Sequence, residues 1–163
     1  ICERFINSEL FTDAQHIAVY IDTRAEVETS GFIKAIQDSD KHCYLPTINS
    51  DKSLSFFQYD KDTVLHETDH HILEPKQHPD TNIQAPSLDI VIVPMVGFDK
   101  HCSRIGSGFG CYDRSFEFLV KKHLKKPVLV VIAYDIHQLE TIEVNPWDVP
   151  MDYVITETAC HQK

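Results

Sequence analysis

Residues 88–94 read LDIVIVP, and the fold class turns on them. Ile90, Val91, Ile92 and Val93 follow one another with no polar break. β-Branched side chains favour extended backbone. An unbroken apolar run of this length suits a strand buried on both faces, as in a parallel sheet with helices on either side. A glycine-rich stretch, RIGSGFGCYDR at residues 104–114, comes shortly after it.

Working outward, residues 127–134 (PVLVVIAY) form a second strand of the same kind. Between the two, residues 112–124 place Tyr112, Phe116, Leu119, Val120 and Leu124 at helical spacing on one face. Upstream, residues 16–22 (HIAVYID) predict a strand, and residues 28–38, with Phe32, Ile33 and Ile36, predict a helix. Residues 42–48 predict another strand, broken after Leu45 by Pro46. Residues 53–59 (SLSFFQY) predict a strand near a sheet edge, and residues 153–156 (YVIT) a last short one. From 60 to 86 the pattern fades into His, Asp, Pro and Lys, which predicts mostly loop. Strand–helix alternation implies an α/β fold: a single three-layer domain with a mainly parallel, Rossmann-like sheet and right-handed crossovers. No internal repeat and no low-complexity tract interrupts it.

The bulk numbers agree with one globular domain. The chain has 163 residues, 42% hydrophobic and 25% charged. No apolar run approaches the roughly 18 residues of a membrane-spanning helix, so no membrane partner is expected. The start, ICERFINSEL, lacks a basic region followed by an apolar one, so no secretory leader is expected and the location is read as cytoplasmic. Five cysteines without a CxxC spacing argue against a disulfide framework or structural zinc. A net charge of −10 argues against nucleic acid as a partner.

Three of the five glycines, Gly106, Gly108 and Gly110, fall inside five residues. Such concentration marks unusual backbone angles or close ligand approach. The stretch lies between a buried strand and a helix, where free N–H groups make an anion site. Arg104 and Arg114 bracket it as phosphate donors. Asp113 could hold Mg2+, an ion suited to carboxylate and phosphate oxygens. The plainer alternative is a glycine turn with Asp113 as a helix N-cap. The pattern is neither a Walker loop nor a proper GxGxxG.

Those residues, with Pro94 and Gly97-Phe98-Asp99 before them, resemble the motif of the 5-formyltetrahydrofolate cyclo-ligase family. Ala25-Glu26-Val27-Glu28-Thr29, Tyr44-Leu45-Pro46, Leu73-Glu74-Pro75, Asp148-Val149-Pro150-Met151-Asp152 and Ile155-Thr156-Glu157 extend the resemblance along the chain. It implies one domain over residues 1–163, working as a monomer, with the family's basic N-terminal helix missing before Ile1. The implied activity is a ligase forming a C–N bond. 5-Formyltetrahydrofolate, with or without a polyglutamate tail, is converted to 5,10-methenyltetrahydrofolate at the expense of ATP, with Mg2+. The resemblance implies an ATP loop of Arg104, Ile105, Gly106, Ser107, Gly108, Phe109, Gly110, Cys111 and Tyr112. It implies Arg104 and Asp113 as catalytic residues and Asp113 and Asp148 as metal carboxylates. The substrate would meet Ile21, Glu26, Ser107, Gly108, Phe109, Gly110 and Cys111, with Tyr112, Phe98 and Tyr134 as candidate aromatic walls.

Some residues depart from the pattern. Cys111 stands where the family has Tyr or Phe, Trp147 replaces the His before Asp148, and Ser107 and Phe109 add no cation. Plainer readings stand beside several sharp ones. Asp148 could cap a turn, and Glu26 and Glu28 could be first-turn helix acids. Residues 66–71 (HETDHH) read as polar loop before metal site. Cys111 and Cys102 read as gap fillers before reactive thiols. Lys121, Lys122, Lys125 and Lys126 read as a solvated helix face before a polyglutamate site. A non-catalytic folate- or nucleotide-binding protein, or a relative of the sugar-phosphate isomerases and CoA-transferases, are the competing functions.

Overall fold

The computed structural model describes residues 1–23, 25–68 and 72–163. Its frame is an eight-stranded sheet. Five parallel strands form the centre: β1 (His16–Ala18), β2 (His42–Ile48), β7 (Ile90–Val93), β10 (Val128–Ile132) and β11 (Tyr153–Ile155). Antiparallel strands close the edges: β3 (Leu54–Gln58) and β6 (Asn82–Ile83) on one side, β12 (Cys160–Gln162) on the other. The order across the sheet is β12-β11-β10-β7-β1-β2-β3-β6.

Alternate residues of the central strands face opposite cores, as the pleat requires. Val91, Val93, Leu129 and Val131 pack with Phe116 of helix α4 (Cys111–Lys121). Ile90, Ile92, Val130 and Ile132 pack with Phe5 of α1 (Cys2–Ile6) and with Phe32 and Ile36 of α3 (Ser30–Gln37). Helix α2 (Glu9–Asp13) follows α1, and its N-cap Ser8 accepts a hydrogen bond from the Phe11 amide. Each Val or Ile buried this way contributes about 1.5–3 kcal/mol. Two cores sharing one sheet make the three-layer α/β architecture expected from residues 88–94 and 127–134.

Several details differ from the sequence reading. The first strand stops at Ala18 instead of reaching Asp22, although Val19 and Tyr20 remain buried. Strand β2 runs unbroken through Pro46. The Tyr59 amide donates to Cys43 O and the Asn49 amide to Ser53 O, so odd-numbered residues of β2 face β3. Pro46 therefore faces the other flank, where the β1 ladder has already ended at Ala18–Tyr44. Its missing N–H costs no ladder bond there. On the same flank the Ile48 amide donates to the buried Glu74 carboxylate.

The stretch from 60 to 86 is more ordered than its composition implies. It carries the hairpin β4 (Leu65–Glu67) and β5 (Leu73–Pro75), two single turns and β6. Helix α4 ends at Lys121, leaving Val120 and Leu124 exposed; its buried face runs through Cys111 and Phe116 instead. Among the described residues no helix is long and apolar enough to cross a membrane. All five cysteines are free thiols.

Candidate functional site

Strand order fixes where a ligand belongs. From β1 the chain crosses by α3 to β2 on one side; from β7 it crosses by α4 to β10 on the other. The two crossovers diverge between β1 and β7, and open α/β sheets bind ligands beyond the carboxyl ends of the strands at such a point. The loop carrying Glu26 follows β1, and the glycine-rich loop follows β7.

Arg104 reaches this crevice from a small hairpin, β8 (Gly97–Phe98) paired with β9 (Arg104–Ile105). Asp99 builds the turn between them. Its Oδ1 accepts from the His101 and Ser103 amides at 2.9 and 3.0 Å, and its Oδ2 accepts from the Ile142 amide at 3.0 Å. Burial alone would raise the Asp99 pKa, but these N–H donors outweigh it and hold the carboxyl below its usual range. Gly97 is needed where the 137–139 turn crosses: a Cβ would lie 3.1 Å from Leu139 Cδ1.

Arg104 Nη2 donates to Asp113 Oδ1 at 3.0 Å, with the two side chains only 7% and 15% exposed. The Val149 amide donates to the same oxygen at 3.0 Å. Asp113 is thus no N-cap. Gly110 holds that position, with φ 64, and no side chain caps the helix. Arg104 Nε is buried and, among the described residues, has no hydrogen-bond partner. An unpaired buried donor on a cation is costly, on the order of 1–3 kcal/mol or more. Such a group is completed by a water or an anion from outside the chain.

Asp148 sits beside Val149. Its Oδ2 accepts from the Asn145 amide at 2.7 Å and from Asn145 Nδ2 at 3.2 Å, so it does cap its own turn. It also lines, with Arg104, His101, Ser103 and Lys163, a cavity of about 260 Å3. Among the described residues Asp113 Oδ2 and Asp148 Oδ1 take no hydrogen bond, so each carboxylate keeps one oxygen able to meet a cation. Among the described residues no three Asp, Glu, His or Cys side chains converge on a metal position. A cation here would draw its remaining ligands from water and phosphate, as Mg2+ does.

On the β1 side, Glu26 Oε2 accepts from the Thr23 amide at 2.7 Å and Thr23 Oγ1 at 2.9 Å, turning the carboxylate across the loop. Its charge bears on both Tyr20 and Tyr112. Burial pushes both phenols above their usual range, and Glu26 adds to the rise, while Arg104 opposes it at Tyr112. The crevice therefore gathers Glu26, Tyr20 and Tyr112, with Tyr134 close enough to act on Tyr20. Ile21, beside them, is partly buried against the α3-side core.

Several expected site residues are placed differently. Phe98 is fully buried in the core and offers no wall to a ligand; its role is to pair with Arg104. Phe109 and Ile105 are exposed, and Gly106, Ser107, Gly108 and Gly110 form the open loop. The Cys111 thiol is raised by burial, against the pull of Arg114 and Lys52, which fits a gap filler. Lys121 is paired with Glu117, and Lys126 with Asp89 at the amino end of β7, opposite the glycine loop. Of residues 66–71, His66 lies on β4 and residues 69–71 lie outside those described. Sequence reasoning missed Tyr20, which looks like core in an apolar run, and Asp99 and the Val149 amide, which act through backbone.

The family model described as "5-formyltetrahydrofolate cyclo-ligase family" matches residues 1–157. A 5-formyltetrahydrofolate cyclo-ligase of Haemophilus influenzae is 32% identical over 140 residues, covering 85% of this chain and 73% of that protein. The Escherichia coli K12 protein of the same name is 31% identical over 145 residues, covering 88% and 78%. The NMR structure of Aquifex aeolicus 5,10-methenyltetrahydrofolate synthetase superposes with a TM-score of 0.81 at 24% identity, over 99% of this chain and 78% of that one.

Proposed function

The chain belongs to the 5-formyltetrahydrofolate cyclo-ligase family, and from that membership we propose how its switch-point crevice carries out the ATP-dependent closure of 5-formyltetrahydrofolate to 5,10-methenyltetrahydrofolate. The observation that carries the site assignment is Arg104: a buried guanidinium, anchored through Nη2 on Asp113, whose Nε–H has no partner among the described residues.

The reaction needs a poor leaving group made into a good one. The formyl oxygen on N5 attacks the γ-phosphorus of ATP, and the bond to ADP breaks. The resulting iminium phosphate is attacked at carbon by N10. The C–O bond then breaks, phosphate leaves with the former formyl oxygen, and N10 gives up its proton. Almost all of the catalysis is positioning and charge neutralisation.

The glycine loop supports this role. Gly106, Ser107, Gly108, Phe109 and Gly110 are exposed, leaving the loop open for phosphates. Arg104 Nε donates to a phosphate oxygen, and its fixed geometry favours the phosphoryl group as charge shifts during transfer. Asp113 and Asp148 would hold Mg2+, which when bound would neutralise charge at the transferring phosphoryl group. Glu26 accepts from the donor-rich pyrimidine edge of the pterin. Tyr112, kept protonated by burial, flanks the ring, with Tyr20, itself part of the core, close enough to act on it. Cys111 leaves room beside the ring that a larger aromatic would fill. A purely binding role is not favoured, because the relatives at 31–32% identity are named as ligases.

The test is direct. The chain mixed with 5-formyltetrahydrofolate and Mg-ATP should generate the methenyl product's absorbance and release ADP. Asp113→Asn should lower turnover at least about 100-fold while leaving the circular dichroism unchanged. Full turnover in that variant would remove Asp113 from the chemistry.

A further inference from the structure

The glycine loop itself supplies no cation between Arg104 and Arg114, yet one is delivered to it from another segment. Lys52, in the turn between β2 and β3, places Nζ over the Phe109 ring, 5.3 Å from its centroid. Its backbone sits at φ 67, in the left-handed region. The Lys52 amide donates to Asn49 O at 3.0 Å, and Arg114 Nη1 donates to Lys52 O at 3.2 Å. The turn is pinned to α4 a second time by the Leu54 amide, which donates to Ser115 Oγ at 2.7 Å. Asp51, the adjacent exposed carboxylate, accepts from the Ser53 amide and hydroxyl at 2.9 and 2.6 Å; its charge also acts on Arg114, which leaves Lys52 as the less compensated cation. Two exposed cations, Lys52 and Arg114, are thereby held together at one end of the loop.

Asp113 and Arg114 are neighbours on α4 but reach opposite ways. Asp113 meets Arg104 and the Val149 amide, and Arg114 meets the 52 turn. Arg104 and Asp148, on the first side, serve phosphate and metal. Glu26, Tyr20 and Tyr112 lie between, where the pterin is read. The opposite side is left for the remaining part of the substrate, a p-aminobenzoyl group ending in glutamate carboxylates. On a chain of net charge −10, such a polyanion approaches against repulsion unless cations stand locally at the entrance. Both cations also act on the Cys111 thiol, which places them at the mouth of the loop.

We propose that Lys52, supported by Arg114, binds the glutamate carboxylate of the folate substrate and sets its preference for tail length. The inference rests on the folate-dependent reading above. Lys52 grips the tail without taking part in phosphoryl transfer, so its effect falls on folate affinity alone.

Equilibrium binding tests this on the full chain, without turnover. Three ligands are titrated: 5-formyltetrahydrofolate, its triglutamate, and the analogue lacking glutamate. Lys52→Gln should weaken 5-formyltetrahydrofolate binding by about fivefold, the size of one exposed charge contact. It should weaken the triglutamate by more, the tailless analogue not at all, and Mg-ATP by less than about twofold. Lys52→Arg should restore the lost affinity. Equal weakening with and without the glutamate, a loss confined to Mg-ATP, or no change would each overturn the proposal. Tail-dependent binding with no product formation would indict the ligase reading instead; no folate binding by the unaltered chain would overturn both.

Discussion

Arg104→Lys separates a structural ion pair from a ligand-binding one. Arg104 is 7% exposed and makes one hydrogen bond to Asp113, through Nη2 at 3.0 Å. A lysine ammonium keeps the positive charge beside Asp113, and Asp113 Oδ1 retains the Val149 amide. The fold should therefore lose only about 1–2 kcal/mol, far below the 3–5 kcal/mol for stripping a partner from a buried pair. For a chain of this size that is roughly 2–8 °C in Tm. The lysine cannot supply the second, divergent donor that Nε offers. If that donor meets a phosphate oxygen, its loss removes one charge-assisted bond, about 1.5–3 kcal/mol. Mg-ATP affinity should then fall between about 10-fold and 150-fold. Isothermal titration with Mg-ATP, paired with urea unfolding of the free protein, reads both numbers. A variant that is folded and binds Mg-ATP within threefold of the parent would refute the reasoning. Arg104 would then be a core ion pair with a strained Nε and nothing more.

Further outcomes follow from backbone and electrostatics. Gly110→Ala, at φ 64, and Gly108→Ala, at φ 96, should each cost about 1 kcal/mol or more, although neither Cβ would touch anything within 4 Å. Gly106→Ala has no such penalty and meets only Arg104 Nη1 at 3.8 Å, so it should keep its urea midpoint yet weaken Mg-ATP binding; a parent-like affinity would show that no ligand comes close there. Asp89 titrates at about 2: partial burial would raise it, but the bond from Lys126 and the His16 and Gln15 amides outweigh that. A depressed carboxyl contributes stability above its unfolded value near 4 and loses it as pH falls toward 2. Asp89→Asn should thus destabilise by about 1–2 kcal/mol at pH 7, after discounting the exposed Lys126, and by little at pH 2; equal losses at both would contradict the assignment.

The central strands were legible because burial on both faces leaves no polar interruption. Residues 90–93 and 128–132 carry their environment in their composition. The peripheral pieces were not. β4, β5, β6 and β12 are two or three residues long and largely polar, so no period develops in them. Pro46 misled because a strand has two flanks and only one of them was still paired. At the site, the glycine loop, Arg104 and Asp113 could be found from residue type and spacing. Glu26 and Asp148 stood out only through the family resemblance, since an isolated acid in a loop has many plain explanations. Lys52 gave no signal at all: its meaning depends on a contact with Phe109, far along the chain.

The junction of β1 with β7 carries a last consequence. Ile17 and Ala18 are hydrogen-bonded in register with Ile90 and Val91, so the loops that face each other across the crevice grow from neighbouring rungs of one ladder. The two halves of the binding cleft cannot swing apart as separate bodies would. In the proposed site, movement of the rim loops and side chains, on the nanosecond-to-microsecond scale general for such segments, is then the expected route for ligand entry and exit. The distance between the Glu26 loop and the glycine loop, the two halves of the proposed site, is in effect ruled by the spacing of two adjacent strands.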